Sequence, residues 1–351
     1  MLILFSPKSE VIHKKIVKLK KLFVQPQITI TMKNLFLSMM AFVTILTFNS
    51  CSDSKDAQDV NGKEKTTLNN ASLKDFGKTV PVGIEEENGI LKVSFILSAQ
   101  FYEIKPTKEN EQYIGMIRQA VKTESPIQVF LKGNTNEIGK VESVGQEDVR
   151  YFKSILTKEE RVTTNKLASV IPDVATLNSL FNQIKNQSCG TSTASSPCIT
   201  FRYPVDGCYA RAHKMRQILI NNGYDCEKQF VYGNLKASTG TCCVGWNYHV
   251  AILVSYKNAS GVTEKRIIDP SLFSSGPVTD TAWRNACVNT SCGSASVSSY
   301  TNTAGNVYYR SPSNSYLYDN NLINTNCVLT KFSSLSGCSP SPAPDVSACG
   351  F

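Results

Sequence analysis

The predicted fold and the candidate chemistry depend on one stretch, Val205-Asp206-Gly207-Cys208-Tyr209-Ala210-Arg211-Ala212-His213-Lys214-Met215-Arg216. Asp206 and Gly207 form a helix-start signal, and the residues that follow predict a helix that ends at Gly223. Cys208 therefore lies in the first turn, where the positive end of the helix dipole favours thiolate over thiol. We interpret Cys208 as a candidate nucleophile.

The number of cysteines supports this interpretation. Eleven of the twelve cysteines follow Leu167, and an apolar leader upstream indicates export to an oxidising compartment. Ten of the eleven can pair into five bridges, which leaves one free thiol. We expect that thiol to be Cys208. The alternatives are that Cys208 is bridged, or that the free thiol belongs to the adjacent Cys242 and Cys243.

Some pairings can be predicted from position. Two pairs flank short segments rich in small polar residues, and we expect each to close a local loop: Cys189–Cys198 and Cys287–Cys292. We expect Cys226 to pair with Cys242 or Cys243. The other cysteines should connect the C-terminal loops.

The candidate general base is His249. The other histidine after Leu167 is His213, which follows Cys208 by five residues on the same predicted helix. Because helical neighbours are three or four residues apart, His213 points away from Cys208. His249 instead begins an apolar strand over residues 248–256, where a polar side chain requires an explanation.

Asp269 is the candidate partner of His249. A turn signal at residues 258–261 separates the His249 strand from a second strand that ends at Asp269. If the hairpin is symmetric about residue 259, the two side chains lie opposite each other, about 5 Å apart at Cβ. Asp269 would then hold one imidazole nitrogen while the other faces Cys208. The alternative is an ordinary turn aspartate before a proline.

Together, Cys208, His249 and Asp269 would provide a nucleophile, a general base and an orienting carboxylate. Backbone N–H groups at the start of the Cys208 helix would supply an oxyanion hole. We expect no metal and no cofactor, because two dispersed histidines and cysteines committed to bridges leave no closed ligand set.

Charge and composition divide the chain into three parts. The formal net charge is +9, of which residues 1–51 contribute +6, residues 52–166 contribute −1 and residues 167–351 contribute +4. The basic excess lies mostly in the leader, so we predict no nucleic-acid binding. The middle part has 35 charged residues in 115 and no cysteine, whereas the last part has 22 in 185. We therefore expect two units with different fates.

The leader has the form of a secretory signal peptide. A basic start at Met32-Lys33-Asn34 precedes an apolar run over residues 35–48. A start codon at Met32 would make residues 1–31 an upstream extension, which we favour over a longer signal. Ser50-Cys51 raises the alternative of a lipid anchor at Cys51. We expect cleavage instead, giving a secreted, extracellular protein with no membrane in its mature form.

The middle part is predicted to be a compact α+β domain. We expect a long strand over Leu91–Tyr102, a helix over Glu109–Lys122, a strand over Ile127–Leu131 and a helix over Gln146–Leu156. The charged segment Lys158–Lys166 is typical of an exposed, protease-sensitive linker.

The sequence resembles the bacterial protein-glutaminases. The resemblance rests on Pro204–His213, Trp246–Ala251 and Ile267–Ser271, and it extends over the signal from Met32, the middle part and residues 167–351. It implies an α+β fold: a papain/transglutaminase-like core with an antiparallel sheet and the nucleophile at a helix N-terminus, preceded by a small α+β pro-domain.

The resemblance also implies a reaction. The family hydrolyses the side-chain amide of glutamine in proteins and peptides through a thioester, and releases ammonia. It maps nucleophile, base and orienting residue onto Cys208, His249 and Asp269, and we expect Trp246 and Tyr248 at a substrate-binding rim. We expect a monomer whose partners are glutamine-containing proteins and peptides, its own pro-region as inhibitor, and an activating protease.

Four segments follow from these observations. We predict an upstream extension (1–31), a signal peptide (32–52), an inhibitory pro-region (53–166) and a mature catalytic domain (167–351). A pro-region blocks such an enzyme most simply with a glutamine that it cannot turn over. Gln100 lies in an apolar run, so we expect Ala99 and Gln100 over Cys208. The alternative is that Gln100 lies on the polar face of an alternating strand.

Two other classes of function stay open. A transglutaminase or a cysteine peptidase would use the same three residues, and would differ in whether lysine or a backbone amide takes part instead of water. A non-catalytic extracellular module cross-linked by disulfides would have no free thiol of low pKa.

Overall fold

The part of the chain before the cysteine-rich region folds into two small sheets and two α-helices. The structure is a computed structural model that describes residues 72–161 and 167–350. The predicted upstream extension, signal peptide and Cys51 lie outside the described residues, as do residues 53–71 and the end of the predicted linker, 162–166.

Residues 72–161 contain eight regular elements. These are β1 (Leu73–Thr79), β2 (Pro81–Glu87), β3 (Ile90–Phe95), β4 (Phe101–Ile104), α1 (Glu111–Thr123), β5 (Ile127–Lys132), β6 (Ile138–Ser143) and α2 (Gln146–Ile155). The strands form two antiparallel sheets, in the orders β1-β5-β6 and β2-β3-β4. Alternate residues of these strands and one face of α1 bury a separate hydrophobic core.

The prediction of one long strand over Leu91–Tyr102 is wrong. β3 ends at Phe95, and the chain returns as β4 with Val93 opposite Tyr102. Residues 96–100 form the connecting loop, in which Leu97 adopts a positive φ of 56°. The loop is as apolar as a strand because its side chains are buried against the C-terminal part of the chain. The pattern of apolar residues could not distinguish a loop that is buried against another part of the chain from a strand that is buried within a sheet.

The C-terminal part is built on an antiparallel sheet. Its elements are β7 (Val170–Ile171), α3 (Val174–Lys185), α4 (Cys208–Asn221), β8 (Glu227–Ser238), β9 (Cys243–Lys257), β10 (Thr263–Ile268), α5 (Asp280–Ala286), β11 (Ser296–Ala304), β12 (Val307–Arg310), β13 (Tyr316–Tyr318) and α6 (Ile323–Phe332). The strand order is β10-β9-β8-β11, and β7 pairs in parallel with β9. The α+β class is confirmed, and α4 packs against β9 and α6.

The helix α4 begins where the sequence predicted, and the turn before it explains why. Gly207 has a φ of 80°, which a residue with a side chain rarely adopts. A Cβ there would also lie 3.0 Å from the ring of Phe332. Arg211, one turn along α4, donates to the carbonyl oxygens of Tyr203 at 3.0 Å and Asp206 at 2.6 Å. These contacts fix the position of Cys208 as the first helical residue.

Four disulfides cross-link the C-terminal part instead of the expected five. They are Cys189–Cys198, Cys242–Cys338, Cys243–Cys292 and Cys327–Cys349. The short Cys189–Cys198 bridge is confirmed. The bridge Cys287–Cys292 and the bridge from Cys226 to Cys242 or Cys243 are wrong, since Cys226 and Cys287 are free together with Cys208.

These disulfide pairings were mispredicted because they depend on contacts between segments that are distant in sequence. The segment after α5 bonds along β8, through Lys236 N–H to Cys287 O at 2.8 Å and Asn289 N–H to Lys236 O at 2.8 Å. That contact brings Cys292 to the start of β9 and Cys243. Sequence separation does not report such a contact.

Among the described residues, no helix is both long and apolar enough to cross a membrane.

Candidate active site

The structure brings His249 and Asp269 into direct contact. Nε2 of His249 lies 2.8 Å from Oδ2 of Asp269, and both side chains are buried. The predicted register is wrong by two residues, because Ile268 pairs with Ile252 and the ladder ends there. Asp269 therefore reaches His249 from the loop after β10 and not from an opposing ladder position. The predicted contact between His249 and Asp269 therefore forms, but through the loop after β10 and not through the ladder.

Asp269 is held by three further donors. The backbone N–H and the hydroxyl of Ser271 donate to Oδ1, and the indole N–H of Trp283 donates to Oδ2 at 2.9 Å. Burial by itself raises the pKa of Asp269, but the charge of His249 and the hydrogen bonds from His249, Ser271 and Trp283 outweigh it, and the pKa is about 2. The carboxylate is thus ionised at neutral pH.

Two aromatic rings fix the plane of the His249 imidazole. Trp246 stacks on it with ring centroids 4.5 Å apart and planes 10° apart, and Trp283 stacks with centroids 5.4 Å apart. With Nε2 bound to Asp269, Nδ1 is buried and has no hydrogen-bond partner within the described part of the chain. That nitrogen is the atom available for proton transfer.

Cys208 is a free, buried thiol at the start of α4. The expectation of a thiolate does not hold in the uncut chain, because burial raises the pKa of Cys208 to about 12, against a smaller lowering by Arg211. The side chain shares a hydrophobic cluster with Ile96, Leu97 and Ala99 of the β3–β4 loop. Residues before 167 thus belong to the same hydrophobic core as the thiol.

The β3–β4 loop is bound to the C-terminal part through its main chain. The N–H of Ala99 donates to Oδ1 of Asp206 at 3.1 Å, and its carbonyl accepts from the N–H of Asn247 at 2.7 Å. The Asn247 amide donates to the carbonyls of Ser98 at 3.1 Å and Gln100 at 2.7 Å. Asp206 precedes Cys208 by two residues and Asn247 precedes His249 by two. Ala99 is thus held between the two segments that carry the candidate nucleophile and base.

The Gln100 side chain bonds to the C-terminal segment. Its Nε2 lies 3.2 Å from the hydroxyl of Ser341, and its Oε1 accepts from the N–H of Ala343 at 2.7 Å. Both polar ends of the amide are thus occupied by partners other than Cys208. The role of the Ala99–Gln100 pair as the cover of the site stays a prediction.

The remaining predicted residues lie inside the protein. Trp246 is buried, with its indole N–H donating to Pro204 O at 3.0 Å, and Tyr248 is buried beside an aromatic neighbour, Tyr309. Neither lies at an open rim in this chain, so their assignment to substrate binding stays a prediction. His213 bonds to Lys228 and Asp319 O, at 2.9 and 3.0 Å, away from the site as expected.

Three residues that contribute to the site were missed from the sequence. Asp206 was treated only as part of a helix start, Asn247 only as part of the His249 motif, and Trp283 was not considered. An aspartate two residues before a nucleophile and an asparagine two residues before a base are local signals. Trp283 reaches the site from α5 through tertiary packing, and no local signal precedes it. Residues 72–161 and 167–350 hold no group of three or more His, Cys, Asp or Glu side chains placed to bind a metal.

Comparison with known proteins gives a consistent result. The family model described as Glutaminase matches residues 177–287. A crystal structure of pro-protein-glutaminase is 91% identical, covers 80% of this chain and 99% of that chain, and superposes with a TM-score of 0.77. A crystal structure of a mutant of pro-protein-glutaminase is 90% identical, with 80% and 100% coverage and a TM-score of 0.78. The NMR structure of protein-glutaminase from Chryseobacterium proteolyticum is 97% identical, covers 53% of this chain and 100% of that chain, and has a TM-score of 0.51. A search of curated proteins gives no match.

Proposed function

The chain belongs to the protein-glutaminase family, and we propose that Cys208, His249 and Asp269 carry out its reaction, the hydrolysis of protein-bound glutamine to glutamate with release of ammonia. The observation that carries this assignment is the buried 2.8 Å contact between His249 Nε2 and Asp269 Oδ2. It fixes the imidazole with Nδ1 free to exchange a proton, on the strand that packs against the helix of Cys208.

The reaction follows from the roles of the three side chains. His249 Nδ1 takes the proton of the Cys208 thiol, and the thiolate sulfur attacks the side-chain carbonyl carbon of glutamine. His249 then returns the proton to the amide nitrogen and the C–N bond breaks. Ammonia departs, and a thioester remains on Cys208. A water molecule, deprotonated by His249, attacks the thioester carbonyl. The C–S bond breaks, the sulfur recovers its proton from His249, and glutamate is released.

Asp269 has an orienting role in this scheme. Its carboxylate holds Nε2 of His249, so that Nδ1 and not Nε2 is the nitrogen that exchanges the proton. The negative charge also stabilises the imidazolium that forms after the first proton transfer. The stacking of Trp246 and Trp283 keeps the ring in this plane. The oxyanion of each tetrahedral intermediate would be bound by backbone N–H groups at the start of α4.

The same chain contains its own inhibitor. We assign residues 53–166 as the pro-region and 167–351 as the mature enzyme. The part before the linker has its own hydrophobic core, and its β3–β4 loop would cover Cys208, since Ala99 bonds to Asp206 and Asn247 on the two segments that carry the nucleophile and the base. Burial raises the pKa of the Cys208 thiol to about 12, and we infer that the loop contributes to this burial. The covering position would belong to Ala99, which has no amide to hydrolyse, and the main chain around it is held by Asp206 and Asn247.

Activation would occur by cleavage near Lys166–Leu167. The solved protein-glutaminases without the pro-region support this boundary, because at 96% and 97% identity they cover 53% of this chain and 100% of their own length. That share of 351 residues corresponds to the segment from Leu167 to the C-terminus. The activating protease would act on the charged segment after Lys158.

Secretion is part of the proposal. Four disulfides in the C-terminal part fit an oxidising compartment, and the leader from Met32 fits an export signal. The alternative is a lipid anchor at Cys51. The enzyme would act outside the cell, as a monomer, on proteins and peptides that contain glutamine.

One experiment separates this function from the other uses of the same residues. The full chain, activated by a protease, is incubated with a glutamine-rich protein, and ammonia, glutamate, chain length and crosslinks are measured. Ammonia with glutamate at former glutamine positions, and with intact uncrosslinked chains, is the expected result. Crosslinked chains would indicate a transglutaminase, shortened chains a peptidase, and no product a binding module.

A further inference from the structure

The amide side chain of Gln100 occupies a built site in the C-terminal part of the chain. It is 3% exposed, although it belongs to a polar residue in a loop. The site offers one donor, the N–H of Ala343 at 2.7 Å from Oε1, and one acceptor, the hydroxyl of Ser341 at 3.2 Å from Nε2. A donor beside an acceptor matches both ends of a carboxamide.

The segment between Cys338 and Cys349, which carries this site, is firmly attached to the catalytic part. Disulfides fix it at both ends, through Cys242–Cys338 before the site and Cys327–Cys349 after it. Between them, the hydroxyl of Tyr203 donates to the carbonyl of Pro340 at 2.6 Å. These connections lie wholly within residues 167–350, so the site should persist after the pro-region leaves.

The main chain next to Gln100 is held in the way that an extended substrate would be held. Asn247 binds the carbonyls of Ser98, Ala99 and Gln100, and Asp206 accepts from the N–H of Ala99. Ala99 takes the position between the Cys208 and His249 segments. A substrate bound in the same direction would place its reacting glutamine where Ala99 lies, and its next residue where Gln100 lies.

We propose that Ser341 and Ala343 form a subsite for a neutral carboxamide side chain on the residue that follows the reacting glutamine, so that the enzyme prefers Gln-Gln sequences. This inference rests on the proposed function of Cys208, His249 and Asp269. A glutamate at the following position would bring a charge into a buried site whose two partners are neutral, and would be disfavoured. An apolar side chain would leave the N–H of Ala343 without an acceptor.

The test uses the protease-activated full chain and short peptides that differ in one residue. Each peptide carries one reacting glutamine followed by Gln, Met, Ala or Glu, and mass spectrometry assigns the position that is deamidated. We expect kcat/KM for deamidation of the first glutamine to be about five- to tenfold higher when the next residue is Gln than when it is Met or Ala. This ratio is the effect expected of one to two hydrogen bonds. The Glu peptide should be the poorest.

Variants connect the preference to the subsite. Ser341→Ala removes the acceptor for the amide nitrogen and should lower the Gln-to-Met ratio by about threefold. Ser334→Ala, the same change at an exposed serine that precedes Cys338, should leave the ratio as it is. Equal rates for the Gln, Met and Ala peptides, in an enzyme that deamidates all of them, would overturn the subsite alone. No ammonia from any peptide would overturn the proposed function and the subsite with it.

Discussion

The main-chain N–H of Ala99 donates a 3.1 Å hydrogen bond to Oδ1 of Asp206, a buried carboxylate two residues before Cys208. The hydroxyl of Ser98 donates to the other carboxylate oxygen at 3.0 Å. Burial raises the pKa of Asp206, and the closed chain provides this buried carboxyl group with donors from the β3–β4 loop. A buried carboxylate that lost these donors without gaining water would be destabilised, so the contact couples loop closure to the environment of the nucleophile.

Removal of one of these donors should weaken the closed form. Ser98→Ala deletes a hydrogen bond to a buried carboxyl group, which contributes about 1.5 kcal/mol and corresponds to roughly a tenfold change in the open fraction. We expect the uncut chain to release ammonia from a protein substrate about tenfold faster than the parent chain. Gel electrophoresis checks that the chain stays uncut.

A matched control is available on the same domain. Ser143→Ala makes the same change at the exposed end of β6, away from the loop, and should leave the latency of the uncut chain unchanged. Equal latency for Ser98→Ala and the parent would show that the Asp206 contact does not hold the loop closed.

The three proposed catalytic residues should differ in how completely their loss stops the reaction. Cys208→Ala and His249→Ala remove the nucleophile and the base, and each should lower kcat by about 10⁴-fold or more. Asp269→Ala should be severe but less complete, because its role is to orient the imidazole. Ammonia release after protease activation is the measurement.

Cys226→Ala is the control for the loss of a free thiol outside the site. It should keep substantial activity, and all variants should keep a cooperative thermal unfolding transition. Parent-like ammonia release by Cys208→Ala would contradict the assignment.

Alkylation should report the cover on the nucleophile. In the uncut chain the pKa of Cys208 is raised to about 12 by burial, so roughly one thiol in ten thousand is ionised at pH 8. We expect iodoacetamide to label Cys208 slowly before activation and rapidly after it. Peptide mapping by mass spectrometry measures both rates, with labelling of Cys226 in the same samples as an internal reference. Equal labelling rates before and after cleavage would contradict the covering role of the loop.

The parts of this architecture that are encoded locally were predictable. The start of α4 at Cys208 follows from Asp206 and Gly207, and the start of α3 is likewise local, since the Asp173 side chain accepts from Thr176 N–H at 2.6 Å. The family and the class of reaction also followed, because the motifs around Cys208 and His249 are short and contiguous. Each of these signals lies within about one turn of helix or one strand.

The parts that depend on contacts between distant segments were not predictable. The predicted β9–β10 register was wrong by two residues, so Asp269 reaches His249 from the loop after β10 and not from the ladder. The β3–β4 loop was taken for strand because its burial against the C-terminal part produces the same hydrophobicity as burial within a sheet. The pairing of Cys243 with Cys292 likewise depends on how the segment after α5 lies along β8.

Asp269 should make folding stability depend on pH in acid. Its pKa is about 2 in the folded chain against an ordinary value of 3.8, despite burial, because His249, Ser271 and Trp283 stabilise the ionised form. The folded state then binds fewer protons than the unfolded state between these values. The stabilisation, about 2 kcal/mol, is present above pH 4 and is lost as the pH falls towards 2.

The difference between the parent and Asp269→Asn isolates this contribution. Urea unfolding of both chains at several pH values should give a difference in unfolding free energy that is largest above pH 4 and shrinks towards pH 2. A difference that stays constant over this range would mean that the pKa of Asp269 is not depressed by folding.

Gln100 should contribute to inhibition through Ser341 and Ala343 and not through Cys208. Gln100→Ala removes the two hydrogen bonds of a buried amide, and we expect the inhibition constant of the separated pro-region against the activated enzyme to rise by about ten- to thirtyfold. Gln112→Ala, at an exposed position on α1, is the matched control and should leave the constant unchanged.

A double-mutant cycle then decides where the amide acts. If it acts through the Ser341 hydroxyl, Ser341→Ala in the enzyme and Gln100→Ala in the pro-region should together cost less than the sum of their separate effects. Additive effects would contradict this contact, and unchanged inhibition by the Gln100→Ala pro-region would remove Gln100 from the inhibitory surface.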